Sequence, residues 1–386
     1  MLKYCVKCVL PHTKPHLSIN EEGVCIACQN YTERRLIDWE SRRKKFDQIV
    51  DRYRQNGAHW DCIVPVSGGK DSTYQVHKVL ELGLNPLCVT ATTCHLSIVG
   101  QKNLKNIQSF GVDHMELSPN PIIRKKMNVV GLKQVGDISW AEHVAILTIP
   151  VRAAVQYGVP LIIWGENSQN EYGGPLQDCS KEILDRRWLE EFGGMLGLRV
   201  SDFVGLECGE VEIEAKHLIP YTYPSSEDLE RVGVRGLFLG QFFPWDGFAN
   251  AEFAKANGFS GFSSMVEGSV ADYENLDNYQ TGIHDYFKFL KFGFGRAADI
   301  ASMAIRRGRT NRQDGLELVN QRDGKFPWSY LGKPLGEILG PLEIDVDEFV
   351  RICDRFTNKK LFVTDAQGRL VKDKSGNLKK INYDNE

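Results

Sequence analysis

The stretch that most constrains this chain is Asp61–Ser72, which reads DCIVPVSGGKDS. Cys62, Ile63, Val64 and Val66 form a short apolar run rich in β-branched residues, the composition of a buried parallel strand. Ser67-Gly68-Gly69-Lys70-Asp71-Ser72 follows at once, and residues 72–83 read as a helix. Two adjacent glycines let the backbone turn sharply and approach a ligand with no Cβ in the way. The hydroxyls of Ser67 and Ser72, with the N–H groups at a helix start, then surround an anion. A strand, a glycine loop and a helix in this order predict a phosphate cradle.

Neither a Walker loop, G-x-x-x-x-G-K-[ST], nor a dinucleotide fingerprint, G-x-G-x-x-G, is present. The string SGGKDS resembles the PP-loop of the N-type ATP pyrophosphatases, of form SGGxDS. That resemblance implies ATP cut between its α- and β-phosphates, with the β- and γ-phosphates in the loop.

Around the loop, apolar and polar runs alternate. Strands are expected at 61–66, 85–91, 112–117 and 160–165, and helices at 72–83, 100–110, 120–131 and 141–157. This rhythm predicts an α/β fold, a parallel twisted sheet with helices on both faces. Ligands of such sheets sit beyond the carboxyl ends of the strands. Three segments should therefore converge on one crevice: the Ser67 loop, Thr90-Ala91-Thr92-Thr93, and the stretch after Trp164. The last reads GENSQNEYGGP and is crowded with amides, acids and glycines. It offers Gly165 beside the cofactor, Glu166 for Mg²⁺ or the substrate, and Asn167, Glu171 and Tyr172 toward a second substrate.

Four of the ten cysteines lie near the start as Cys5-x-x-Cys8 and Cys25-x-x-Cys28, with sixteen residues between the pairs. Two such turns complete a tetrahedral thiolate site, and four protein ligands make it a structural one. Zn²⁺ is the expected ion, ahead of an iron–sulfur cluster or two disulfides. The other cysteines are scattered and read as packing residues.

Residues 31–56 read as one long charged amphipathic helix burying Leu36, Trp39, Phe46, Ile49, Val50 and Tyr53. Farther on, 181–196 reads as helical, 211–222 as extended, 225–232 as helical and Gly236–Phe243 as a strand. Tyr286–Arg309 (YFKFLKFGFGRAADIASMAIRRGR) sets basic residues among aromatics, so Lys291 and Arg296, with Asp71, are candidate catalytic groups toward an anionic ligand. A helix at 345–356 leads into a polar tail, 365–386, expected to be partly ordered at best. The domain reading is 1–30 zinc-ribbon-like, 31–58 a helical linker, 59–245 the loop-bearing α/β domain, and 246–386 mainly helical.

The formal charge of −3 gives no global field toward nucleic acid. No run approaches a membrane span, and MLKYCVKC lacks the apolar core of a signal peptide, so a cytoplasmic location is expected.

The four-cysteine start, SGGKDS, GENSQNEYGG and KFGFGRAADIASMAIRRGR together resemble the N-acetyl sugar amidotransferases of surface-polysaccharide biosynthesis, the WbpG/PseA-like group. The resemblance runs along nearly the whole chain. It implies an enzyme that uses ATP and Mg²⁺ to turn an N-acetyl group of a nucleotide sugar into an acetamidino group, releasing AMP and pyrophosphate. WbpG-like members imply a diacetamido uronic acid and O-antigen synthesis. Family membership also implies a separate HisH-like glutaminase as ammonia source, and a HisF-like barrel subunit. The cofactor residues by this reading are Ser67, Gly68, Gly69, Lys70, Asp71, Ser72, Thr90 and Gly165. Two alternatives share parts of the pattern: a tRNA thiolation enzyme using Cys94 and Cys179, and a zinc-ribbon scaffold that binds nucleotide without turnover.

Overall fold

The structure, a computed structural model, describes residues 3–54, 59–174, 183–184 and 195–381. Its centre is a sheet of β1 (Cys62–Pro65), β2 (Pro86–Ala91), β3 (Asp113–Leu117), β4 (Leu161–Trp164), β5 (Ile183–Leu184) and β6 (Arg235–Phe238). The spatial order is β3-β2-β1-β4-β6-β5. All neighbours pair in parallel except β5, which runs antiparallel to β6. Strand order reverses beside β1, so the segment leaving β1 opens into the crevice between β1 and β4.

Period-two alternation decides the two faces. Cys62 and Val64 point to one side, with Leu161, Ile163 and Leu237, and meet Val76 and Val79 of α3 (Lys70–Glu81). Ile63, with Leu87, Val89 and Ile162, points to the other. There it meets Met127 of α5 (Pro121–Val135) and Trp140, Val144 and Ile149 of α6 (Trp140–Tyr157). The helix α4 (Ile98–Gln108), capped by the Ser97 hydroxyl, brings Ile107 to the same face as α3.

The single helix expected over 31–56 is two helices, α1 (Ile26–Arg34) and α2 (Trp39–Arg54). Asp38 Oδ1 accepts from the Glu40 and Ser41 N–H groups, so a side-chain cap starts a new helix inside the apolar pattern. Leu36 falls in the break and is 85% exposed. Phe46, Ile49 and Val50 are buried as expected, against the sheet face that carries Val64.

Beyond β4 come α7 (Ser168–Tyr172), α8 (Ser226–Val232) and α9 (Gly247–Ala256). The chain ends with α10 (Thr281–Phe292), α11 (Arg296–Arg306), α12 (Arg312–Arg322), α13 (Leu335–Leu339) and α14 (Val346–Phe356). Of the helix expected over 181–196, residues 183–184 are strand, and 181–182 and 185–194, like Pro175 and Cys179, lie outside the described residues. Residues 211–222 are extended only at Val211–Glu212 and then form a 3₁₀ turn, Ala215–Tyr221, while the strand expected over Gly236–Phe243 stops at Phe238. Tyr286–Arg309 is broken by Gly293-Phe294-Gly295 into α10 and α11. The polar tail is ordered through Ile381: Thr364 pairs with Leu370, Lys372 with Leu378 and Phe362 with Lys380, and Leu378 is buried.

Two further cores tie the ends together. One joins α10, α13 and α14 through Phe287, Leu290, Leu339 and Phe349, and also takes Leu132 and Ile138 from the α5–α6 corner. The other packs the four N-terminal cysteines, Leu10 and Leu17 against Phe294 of the break before α11, Ala298 and Ala301 of α11, and Val319 of α12. No helix among the described residues is long and apolar enough to cross a membrane.

Candidate active site

The loop after β1 forms the floor of a cavity of about 160 Å³ lined by Ser67–Ser72. Gly68 has φ +79°, and a Cβ there would sit 2.7 Å from the Leu104 backbone nitrogen in α4. Both the left-handed backbone and the close approach require glycine. Gly69 is the N-cap of α3, and no side chain caps that helix start. The first-turn N–H groups therefore face the cavity, where an anion satisfies them. Ser67 Oγ accepts from Gly69 N–H at 3.3 Å, and Ser72 Oγ donates to the Gly69 carbonyl at 3.1 Å. These two hydroxyls brace the turn.

Side chains above the floor are strongly charged. Lys70 Nζ lies 2.6 Å from Asp71 Oδ2 and 2.8 Å from Glu274 Oε1. Burial disfavours its ammonium, but these two carboxylates hold its pKa well above the ordinary lysine value. Asn250 of α9 donates to Asp71 Oδ1 at 2.8 Å and fixes that carboxylate. Glu166 lines the same cavity. Burial, then the Asp71 and Glu171 carboxylates, push its carboxyl up to about 8. Asp71, Glu166 and Glu274 thus give hard oxygens, and Lys70 and the helix start give positive charge, the donor set for a triphosphate with its divalent cation.

The opposite wall comes from Tyr273–Asp277, far along the chain. Leu96 pairs with Asn278, and Ser97 N–H donates to the Asp277 carbonyl at 2.9 Å. A Cβ on Gly100 would lie 2.7 Å from Asp277 Cα, so this glycine admits the wall against α4. Asn103 accepts from Ser260 N–H at 2.7 Å and donates to its carbonyl at 2.9 Å, pinning the next segment. Glu274, Asn250 and Tyr273 carry no motif in the sequence, so local reading missed them.

Several expected site residues stand elsewhere. Thr90 Oγ1 donates to the Val66 carbonyl at 2.8 Å, bracing the loop from behind rather than lining it. Gly165 lets Trp245 pack, since a Cβ would meet the indole at 3.0 Å. Asn167 accepts from Gln169 N–H and starts α7. Glu171 Oε2 pairs with Arg307 at 2.7 Å and tethers α7 to the end of α11. Lys291 donates to the Val135 and Gly136 carbonyls at 2.7 and 3.1 Å, so it caps α5. Arg296 makes a two-point pair with Asp285 at 3.1 and 3.2 Å and lines a second cavity. Tyr172 does line the loop cavity.

The N-terminal cysteines converge as their spacing predicts. All four are buried, their sulfurs lie within 4.8 Å of one another, and the Cys5–Cys28 and Cys8–Cys25 separations are 3.9 and 3.7 Å. A tetrahedral site with Zn–S near 2.3 Å has S–S edges of about 3.8 Å. The geometry therefore fits a structural zinc. Arg312 of α12 donates to the Cys5 and Cys8 carbonyls at 3.3 and 3.1 Å and anchors the knuckle from outside.

Cys94 faces Glu142, Asn128 and Gln280 rather than the loop. Burial, then the Glu142 carboxylate, pushes its thiol well above the ordinary range, the reverse of an activated sulfur nucleophile. Another cluster had no sequence signature. The buried Asp137 carboxylate bonds His143 Nδ1 at 2.9 Å and His284 Nδ1 at 3.0 Å, and so joins the start of α6 to α10.

Comparison with known proteins adds a family. Residues 262–374 match the family "LPS biosynthesis protein WbpG-like, C-terminal domain". That match includes Tyr273–Asp277, the wall facing the loop. The uncharacterized protein MJ1599 of Methanocaldococcus jannaschii is 31% identical over 119 residues, 30% of this chain and 42% of that protein. The chain thus spans about two fifths of the length of that relative. Among solved structures, NMN synthetase from Francisella tularensis matches at a TM-score of 0.27 and 14% identity, covering 57% of this chain and 87% of the other.

Proposed function

We propose that this chain, whose residues 262–374 match the WbpG-like C-terminal domain family, is an ATP-dependent sugar amidotransferase. Its reaction converts the N-acetyl group of a nucleotide-linked diacetamido uronic acid into an acetamidino group in O-antigen synthesis. The observation that carries the reading is the Gly68–Ser72 cradle, closed by Glu274 from the WbpG-like region.

An amide carbonyl is a poor electrophile, so its oxygen must first become a leaving group. The carbonyl oxygen attacks the α-phosphorus of ATP, the α–β bond breaks, and pyrophosphate leaves. Ammonia adds to the resulting O-adenylyl imidate carbon, a proton is lost, and AMP departs with the original oxygen. An amidine remains. The α3 start and the Ser67 hydroxyl bind the departing pyrophosphate, Ser72 braces the turn beneath it, and Lys70, held by Asp71 and Glu274, neutralises charge beside it. Asp71, Glu166 and Glu274 would hold Mg²⁺, which supplies further neutralisation on the phosphate oxygens. Catalysis by this route is positioning and electrostatics, with no side-chain nucleophile.

The reading includes a separate HisH-like glutaminase that supplies ammonia, with a HisF-like barrel subunit, and a site of action in the cytoplasm. Incubation with ATP, Mg²⁺, ammonium and a UDP-linked diacetamido uronic acid tests the reaction. AMP, pyrophosphate and a product with one oxygen replaced by NH are the expected outcome. ADP formation, or an unchanged sugar, would exclude it.

A further inference from the structure

A second cavity, of about 350 Å³, opens in the segment 264–330, inside the WbpG-like region. This volume lies in the range of small-ligand sites. Its walls are aromatic. Tyr286 and Phe326 meet edge to face at 5.5 Å, and Phe326 lies 4.6 Å from the half-exposed Trp328 ring. Phe289 and Tyr330 are pressed against Gly324 and Gly282, where a Cβ would strike either ring at 2.0 and 2.3 Å. Those glycines set the rings in place.

Among these rings stand charged groups. Asp323 Oδ2 accepts from Gly295 N–H at 2.7 Å, while its Oδ1 is buried and has no hydrogen-bond partner. A buried carboxylate oxygen without a donor is costly. Burial accordingly pushes the carboxyl up to about 6. Arg296, held by Asp285, lines the same cavity.

This cavity shares a partition with the phosphate cradle. Asn275 lines the cradle, and its Nδ2 donates to Asp285 Oδ2, which lines the second cavity, at 3.2 Å. Tyr330 Oη donates to the Asn275 carbonyl at 3.0 Å. A ligand here would be an immediate neighbour of whatever the loop cavity holds.

Resting on the amidotransferase reading, we propose that this aromatic cavity takes the acetamido-bearing pyranose of the sugar nucleotide, with Asp323 Oδ1 accepting from an acetamido N–H or a ring hydroxyl. Pyranose C–H faces stack on aromatic rings, while the polar edge of the sugar requires fixed acceptors and donors. Arg296 supplies a charge of the sign that a uronate carboxylate needs.

The test uses the full chain with a UDP-linked diacetamido uronic acid as probe, for wild type, Trp328→Ala and Asp323→Asn. Trp328 is exposed, and asparagine keeps an acceptor for Gly295, so both variants should retain the wild-type melting temperature within a few degrees. The expected result is a tenfold or greater rise in sugar-nucleotide Kd and KM, with ATP affinity unchanged. Equal sugar affinity in wild type and both variants overturns the cavity assignment and leaves the reaction standing. Weakened sugar binding in the variants, with no AMP formed by wild type, upholds the assignment and removes the reaction. A wild-type protein that does not bind the probe overturns both.

Discussion

The phosphate cavity has two walls of different origin. Its floor, Ser67–Ser72, is six consecutive residues between a strand and a helix, so the chemistry and the backbone that presents it are neighbours in sequence. Its other wall, Tyr273–Asp277 with Asn250, arrives from far along the chain and is held by contacts to Leu96 and Gly100 at the start of α4 and to Asp71 of α3. The floor is local geometry and the wall is docking. The first should tolerate little change in its own residues; the second should respond to anything that loosens the docked region.

The four-cysteine knuckle packs on α11 and α12 of the C-terminal region that also carries the wall, so its loss should give the largest effect. Cys8→Ser should release zinc and destabilise the chain by several kcal/mol, as coupled metal binding and folding require. Unchanged zinc content and melting temperature would mean that the four cysteines do not form a structural metal site. On the floor itself, Asp71→Asn should lower AMP formation about 10²–10³-fold, the usual loss for a charged group acting on a transition state, with little change in melting. Near-normal turnover would remove the floor from the chemistry.

A smaller effect separates wall from floor. Glu274→Gln keeps the shape and an acceptor but removes one negative charge from beside Lys70, and AMP formation should fall about tenfold, the scale of losing one charge-assisted hydrogen bond. No change would reduce the wall to a cover. The docking also carries a pH signature through Asp137, which joins α6 to α10. Burial would raise the Asp137 carboxyl, but His143 and His284 hold it well below the usual range. Its contribution is present above the ordinary carboxylate pKa and is lost as pH falls through the depressed value. Burial works against the imidazolium of His143, yet Asp137 raises its pKa, so that contribution is full below about 6.5 and is lost as pH rises through the folded value. Melting temperature against pH should therefore peak between those limits, and Asp137→Asn should flatten the peak. Finally, Lys291→Met should cost about 1 kcal/mol from two lost cap bonds and leave turnover unaltered, since Lys291 serves α5 rather than the cavity. A large fall in rate would return it to the catalytic set.

Lys70 and Lys291 show why the sequence was legible in one place and not in the other. Both are lysines near glycines; Lys70 is buried and Lys291 half-buried. Lys70 follows a strand whose β-branched run fixes its direction, so its place at the cavity could be read from six letters. Lys291 lies on an amphipathic helix whose polar stripe is compatible with a ligand, with solvent or with a neighbouring helix end. Only the packing of α10 on α5 shows which of these it meets. The same holds for Arg296, which meets Asp285, and for Glu171, which meets Arg307.

By itself the sequence determined the parallel sheet, the cradle and the cysteine knuckle. In each, hydrophobic period, backbone freedom or ligand spacing acts over a short stretch of chain. The tertiary structure alone decided the second wall, the anchoring roles of Thr90, Gly165 and Glu171, and the aromatic cavity beside the cradle. Those depend on which distant surfaces bury one another, and a buried contact between residues far apart in the chain leaves no period or spacing in it.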